Sequence, residues 1–254
     1  MDSQLREQGL IIFNVASQTR ILGGFSLTLR QMRKTVIMLL LLAWAGTRAL
    51  AQSNPLRDSL DVATKALAMA PDSVDLRLKK AAWNIRLEQW SYAKADYDII
   101  LSHHPNNVTA LFFRAFVNEK LNRYGFARID YQNFLKLLPG HFEGQIGLIL
   151  LNEKDKHYTE AMDGANTLIE QYPDSALAYA IRGGIEKERG MYMLAQYDYT
   201  QAIIRNPTNT DYILNRAETL LMQGKKAEAR RDLDMLVALG APRGTLLDLY
   251  KRAK

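Results

Sequence analysis

The side chains that could do chemistry in this 254-residue chain are four histidines and a recurrent column of aspartates. His103 and His104 are adjacent at the predicted end of a helix, so their side chains point in different directions, while His141 and His157 fall at predicted turns. A metal site usually needs two ligands on one face of an element, as i,i+4 spacing provides. The chain has no cysteine, which excludes disulfide and thiol chemistry. The sequence therefore predicts neither a metal nor another cofactor.

The aspartates recur in register with arginines, which favours a structural role over a catalytic one. Each arginine precedes its aspartate at a constant spacing, so that it can reach from one predicted helix to the next. The pairs are Arg114 with Asp130, Arg182 with Asp198, and Arg216 with Asp232. Opposite charges at such positions predict ion pairs between helices. The chain also has no glycine-rich phosphate loop and no nucleophile elbow, so we do not expect an enzyme.

The elements that position these residues repeat with a period of 34. Prolines occupy one column of the repeat and alanines another: Pro71, Pro105, Pro139, Pro173 and Pro207, and Ala93, Ala127, Ala161, Ala195 and Ala229. A fixed period of this size is typical of a solenoid, in which each unit buries its apolar face only against its neighbours. The product is an extended curved surface, and its expected function is binding.

Two further columns keep the same register. An aromatic residue stands three positions before the alanine, and a small residue stands twelve before it. The aromatic residues are Trp90, Tyr124, Tyr158 and Tyr192, and the small ones are Ala81, Ala115, Gly183 and Ala217. Over about residues 55 to 254 this pattern resembles the tetratricopeptide repeat family. The resemblance implies an all-α, right-handed superhelical solenoid of about five helix-turn-helix repeats with flanking terminal helices.

Residues that start and end helices predict the helix boundaries within each repeat. Residues that cap helix starts come after the prolines, and Gly190 and Gly224 can end first helices in the left-handed conformation. The expected first helices are 74–87, 108–121, 142–154, 176–189 and 210–223. The expected second helices are 91–104, 125–137, 159–171, 193–205 and 226–239. The repeats then run 74–107, 108–141, 142–175, 176–209 and 210–242, with a partial repeat at 55–73, where a helix spans 55–70, and a capping segment at 243–254, helical from Thr245 to Ala253.

The third repeat departs from the pattern. Leu148 replaces the arginine, Gly164 and Ala165 replace aspartate and tyrosine, and His141 is the poorest predicted helix cap. The small side chains predict looser packing there, as a bend or as the least stable unit, unless the repeat has simply drifted. A column of asparagines, Asn84, Asn118 and Asn152, either links adjacent repeats by hydrogen bonds or bonds locally to backbone or water.

The N-terminal residues predict export. Arg33 and Lys34 precede an apolar run of 10 residues, Val36 to Ala45, and Ala49 and Ala51 form a small-x-small cleavage motif before Gln52. The run is shorter than the roughly 20 residues of a spanning helix. We expect a signal peptide at 32–51 and a mature solenoid at 52–254, periplasmic or secreted. The alternative is a retained anchor, which would be the chain's membrane contact. Residues 1–31 are interpreted as a mis-assigned start or a disordered extension.

Charge then argues against nucleic acid as a partner. The whole chain carries a formal net charge of +6, but residues 1–51 hold six basic and two acidic residues, which leaves 27 basic and 25 acidic residues. Nucleic-acid binding needs a concentrated basic face, whereas here the signs alternate along the predicted helices.

The family resemblance places an inner, concave face on the first helices. By register the apolar residues there include Leu78, Phe112, Phe116, Ile146 and Leu150, flanked by Glu119, Lys120 and Lys154. Such a surface suits an extended or helical protein segment, unless the phenylalanines turn inward between repeats. We therefore expect a non-catalytic scaffold or adaptor for a protein partner in the bacterial cell envelope. The alternative is an accessory or regulatory subunit of an envelope enzyme or secretion machine.

Overall fold

The computed structural model describes residues 54–254, and the predicted signal segment lies outside them. The chain divides into two compact units, 1–59 and 60–254, and only residues 54–59 of the first are described. The described residues form α-helices joined by short turns, with one 3-10 turn near the end. The helices are α1 Pro55–Met69, α2 Val74–Arg86, α3 Trp90–His103, α4 Val108–Lys120, α5 Tyr124–Leu137, α6 Phe142–Lys154, α7 Tyr158–Gln171, α8 Ala176–Glu188, α9 Tyr192–Arg205, α10 Thr210–Met222, α11 Lys226–Ala238 and α12 Leu247–Arg252, with the 3-10 turn at Arg243–Leu246.

These bounds confirm the predicted all-α repeat of paired helices. Each of the ten helices from α2 to α11 lies within one residue of its predicted limits. The terminal segment is the exception, because a 3-10 turn precedes its short α-helix where one helix was expected.

Side-chain caps start the first helix of every repeat. Ser73, Asn107, Ser175 and Asn209 each accept a hydrogen bond from a backbone N–H in the first turn. His141 does the same with its Nδ1, which accepts from the N–H of Gly144 at 3.3 Å. The prediction that repeat three lacks a good cap was therefore wrong, because a neutral imidazole nitrogen can replace the usual oxygen.

A left-handed residue ends the first helix of every repeat. Gly190 and Gly224 have φ values of 71° and 73°, as expected, and Glu88, Asn122 and Lys156 hold the same place with φ between 55° and 61°. This residue reverses the chain so that the second helix returns antiparallel to the first. Glu88 and Lys156 carry a steric cost that glycine avoids.

The alanine columns bring the paired helices together. Ala93, Ala127, Ala161, Ala195 and Ala229 are each fully buried. In repeat four Gly183 provides the facing small residue, and a Cβ there would lie 3.3 Å from the Cβ of Asp198. Consecutive helices pack along the chain from α2 to α11, and Leu246 and Tyr250 cover the last repeat with buried side chains.

Repeat three is packed, contrary to the expected loosening. The space beside Gly164 is occupied by Ile149 of α6, whose Cγ1 lies 2.8 Å from where a Cβ would stand. Ala165 and Leu168 are fully buried in the same cluster. A large residue on the first helix thus compensates for the small ones on the second.

Candidate functional site

The aspartate column forms ion pairs between the two helices of a repeat, as predicted. Each arginine uses Nε and Nη2 to bind both carboxylate oxygens of one aspartate. The Arg114–Asp130 contacts are 2.9 and 2.6 Å, the Arg182–Asp198 contacts 2.6 and 2.8 Å, and the Arg216–Asp232 contacts 2.9 and 2.7 Å. Because the aspartates are buried and bound in this way, they hold helices together and are not free to act on a substrate.

The arginines also join neighbouring repeats, which the sequence did not reveal. The third guanidinium nitrogen, Nη1, reaches a polar residue on the second helix of the preceding repeat. Its acceptors are Asp98 for Arg114 at 3.0 Å, Asn166 for Arg182 at 2.9 Å, and Thr200 for Arg216 at 3.2 Å. The acceptor column stands two residues after the aspartate column and varies in type, so only its spacing could have indicated it.

The asparagine column departs from both expected roles at two of its three members, whose partners are aspartate side chains of the same repeat. Asn84 and Asn118 each donate from Nδ2 to the aspartate of their own repeat, at 3.3 and 3.1 Å. Asn152 instead accepts from Arg128 of the preceding repeat at 2.8 Å, and that arginine also binds Asp155. Repeat three has lost its own ion pair, so a pair from its neighbour holds α6 in place.

The predicted inner-face residues differ in accessibility. Leu150 is 41% exposed, and Leu78, Phe112 and Phe116 are half-buried. Ile146 is only 5% exposed and belongs to the buried cluster of repeats three and four. Register on the first helices did not predict the burial of Ile146, whose column also contains the half-buried Leu78 and Phe112.

Phe112 is tied into an aromatic cluster of repeat two. Its ring lies 5.3 Å from those of Phe113 and Phe134 and 5.8 Å from that of Tyr131, between ring centroids. The ring of His141 lies 6.2 Å away. Phe112 thus turns largely inward, which was the alternative interpretation of the phenylalanine pair.

Phe116 is held differently, by one aromatic ring and one cation. The ring of Trp90 packs edge-on against it at 6.0 Å, and the Lys120 ammonium lies 5.2 Å from its centroid. Lys154 lies 5.3 Å from the ring of Tyr124 and 3.2 Å from Glu119. We call Phe116 and the exposed Leu150, together with the charged residues Glu119, Lys120 and Lys154 of the same two helices, the central inner patch.

Acidic residues continue the inner face towards repeat five. The pKa of Glu153 is raised, first by partial burial and then by the charge of Glu188 from the next repeat. Lys187 binds Glu218 across repeats four and five at 2.5 Å. Carboxylates of the first helices in repeats three to five thus act on one another or are bound by lysine.

The outer side also carries apolar side chains that the sequence reading missed. Tyr92, Phe126 and Leu194 are each more than half exposed on second helices, as are Ile129 and Tyr197. The spacing could have indicated this exposure, because Tyr92, Phe126 and Leu194 directly precede members of the alanine column. A residue beside a fully buried helical position faces partly away from the core.

Clefts on the surface of the described residues are open to solvent. One, of about 290 Å³, is open and lined by Arg216, Asp232 and Glu228 among others, and it contains the structural ion pair of repeat five. Within residues 54–254 no group of three or more histidines, cysteines or acidic residues is arranged to hold a metal ion. No helix of that region is long and apolar enough to cross a membrane.

The repeat geometry agrees with comparisons to known proteins. The tetratricopeptide repeat family model matches residues 198–231, which cover the C-terminal half of α9, all of α10 and the first half of α11. The chain has the tetratricopeptide repeat fold. No curated protein matches the sequence significantly.

Solved tetratricopeptide repeat structures share this architecture at low sequence identity. A tetratricopeptide repeat protein from Parabacteroides merdae has 21% identity and a TM-score of 0.61, with 78% of each chain covered. MamA from Desulfovibrio magneticus RS-1 has 18% identity and a TM-score of 0.59 over 66% of this chain and 95% of its own. YrrB, described as having an unusual peptide-binding site, has 17% identity and a TM-score of 0.57 over 76% and 99%.

Proposed function

We propose that this protein is a non-catalytic scaffold that binds a segment of a partner protein on its inner face. The observation that carries the proposal is the central inner patch, where Leu150 is 41% exposed and Phe116, at the same register position of the preceding repeat, is half-buried. Apolar surface on a rigid concave support is suited to a helical or extended segment. The peptide-binding site named for YrrB supports the same kind of ligand.

The charged rim of the patch favours a segment with polar ends and an apolar centre. Lys120 and Lys154 each lie over an aromatic ring, so their ammonium groups are held near the apolar surface rather than moving freely. Glu119 binds Lys154 and leaves Lys120 as the more available cation. A partner segment with apolar anchors and an adjacent carboxylate matches this arrangement.

The proposal includes export, because the basic, apolar and small-residue succession before Gln52 is typical of a secretory signal peptide. The partner would then be an envelope protein, and the protein would act as an adaptor or, alternatively, as an accessory subunit of an envelope enzyme or secretion machine. N-terminal sequencing of the exported protein should read Gln-Ser-Asn-Pro, and a start upstream of Arg33 in a membrane fraction would contradict cleavage.

Affinity capture from extracts of the source cells tests the binding role. Wild-type protein is compared with the double variant Phe116→Ala/Leu150→Ala and with Leu194→Ala, which removes a similar apolar side chain from the outer side of α9. We expect the double variant to lose specific partners and Leu194→Ala to retain them. One partner at constant stoichiometry favours a subunit, and several weaker partners favour an adaptor. Equal capture by all three proteins would contradict the inner-face proposal.

A further inference from the structure

Repeat four carries a glutamate where the first two repeats carry a hydrogen-bond donor. Asn84 and Asn118 donate from Nδ2 to the buried aspartates of their repeats, Asp96 and Asp130. The residue in the same register of repeat four is Glu186, and its aspartate is Asp198. An ionised glutamate has no proton to donate, so it cannot replace asparagine there unless it binds a proton.

The surroundings of Glu186 are those of a protonated acid. The residue is 5% exposed, and its Oε2 has no hydrogen-bond partner within the protein. Asp198 is 1% exposed and already receives two N–H groups of Arg182, at 2.6 and 2.8 Å. A second negative charge beside it would be buried without a counter-ion of its own.

We propose that the carboxyl group of Glu186 is protonated in the folded protein and donates its hydrogen bond to Asp198, so that repeat four loosens between α8 and α9 when this proton is lost. The proton of the acid takes the place of the asparagine amide proton of repeats one and two. Loss of the proton leaves two negatively charged carboxylates between α8 and α9, where Gly183 already lies against Asp198.

The other groups around the pair do not neutralise it. On its own helix Arg182 lowers the pKa of Glu186, but both of its aspartate-facing nitrogens are bound to Asp198 and the third to Asn166 of α7. From α9, Tyr199 lies near Glu186. Burial raises the pKa of Tyr199, and so do nearby carboxylates that include Glu186. From α10 the nearby carboxylate Glu218 is bound by Lys187.

The direction in which pH changes folding stability follows from the raised pKa of Glu186. Burial, and then the charge of Asp198, raises the pKa of Glu186 from its ordinary 4.5 to about 7. Between these two values the folded state holds a proton that the unfolded state has released, so stability falls as pH rises. The contribution is fully present below about pH 4.5 and is lost once the pH has passed about 7.

The experiment measures unfolding of the full chain by denaturant at several pH values, for wild type, Glu186→Gln and Glu170→Gln. Glutamine supplies a permanent donor of the same shape, while Glu170 is an exposed residue of α7 whose replacement controls for charge. From about pH 5 to about pH 8 we expect the unfolding constant of wild type and of Glu170→Gln to rise, relative to Glu186→Gln, by more than about tenfold.

The three proteins are compared by the slope of the unfolding constant against pH. A difference in the absolute stability of Glu186→Gln therefore does not hide the effect of the proton. Hydrogen exchange locates the effect, because amides of α8 and α9 should exchange faster above about pH 7 in wild type, after correction for intrinsic rates, and not in Glu186→Gln. Parallel pH slopes in all three proteins, or loosening spread evenly over the repeats, would overturn the proposal.

Discussion

Phe112 and Phe116 lie one helical turn apart on α4, yet their surroundings assign them different roles. Phe112 touches rings of both helices of its repeat and the capping His141. Phe116 touches Trp90 of the preceding repeat and carries the Lys120 ammonium over its face. Phe112 is therefore a packing residue, and Phe116 is the aromatic residue that a partner could reach.

Replacing each phenylalanine by alanine should separate these roles. We expect Phe112→Ala to lower the free energy of unfolding by about 3 kcal/mol, since it empties an aromatic cluster. Phe116→Ala should cost about 1 kcal/mol, the scale of a lost edge-to-face contact. Urea denaturation of both variants measures the difference. A larger loss for Phe116→Ala would mean that this ring, rather than Phe112, belongs to the core.

A second prediction at this scale concerns the left-handed residue that ends each first helix. Lys156 has φ of 61°, where a side chain is strained, so Lys156→Gly should raise stability by about 0.5 to 1 kcal/mol. Gly190 holds the same place in repeat four, and a Cβ there meets nothing within 4 Å. Gly190→Ala should therefore lose about 1 kcal/mol through backbone strain alone. Thermal unfolding would contradict this account if both changes acted in the same direction.

At the scale of elements, the arginines of repeats two, four and five each link three helices. Arg114 binds Asp130 of α5 and Asp98 of α3, so α4 is held from both sides. Asp130 is 2% exposed, and loss of its partner would leave a buried carboxylate without a counter-ion. The column thus fixes the spacing of repeats, while the alanine column fixes the approach of paired helices.

A double-mutant cycle tests this link. Coupling between Arg114→Ala and Asp130→Ala should be about 2 kcal/mol, because the pair is bidentate and largely shielded. The Lys154–Glu119 pair is the control, since its lysine side chain is 46% exposed and its coupling should stay below about 0.5 kcal/mol. Equal coupling for both pairs would mean that shielding does not strengthen the Arg114 link.

The sequence predicted the limits of the helices better than it predicted the burial of individual side chains. Helix limits were accurate because prolines, capping side chains and left-handed residues mark them locally. The His141 cap was missed because imidazole is an unusual cap, and the filling of the Gly164 space was missed because it depends on Ile149 across a helix pair. Ile146 shares a register position with Phe112, but burial is decided by neighbours from other repeats, which spacing along one chain does not show.

At the scale of the whole molecule, the solenoid of residues 60–254 presents two kinds of surface. First helices carry the central inner patch, and second helices expose apolar residues such as Phe126 and Leu194. The inner patch differs from these by its fixed charged rim, in which Lys120 and Lys154 are held over aromatic rings. Recognition of an apolar segment with a carboxylate uses both features, and the proposed binding on the inner face rests on them.

Site-specific photo-crosslinking in the source cells tests this assignment most directly. A photoreactive amino acid is placed at Leu150 in the central inner patch or at Leu194 on the outer side, two exposed leucines of the same fold. The account predicts a discrete crosslinked partner from position 150 that disappears in the Phe116→Ala background, and none in common from position 194. The same partner crosslinked from position 194 but not from position 150 would contradict binding on the inner face.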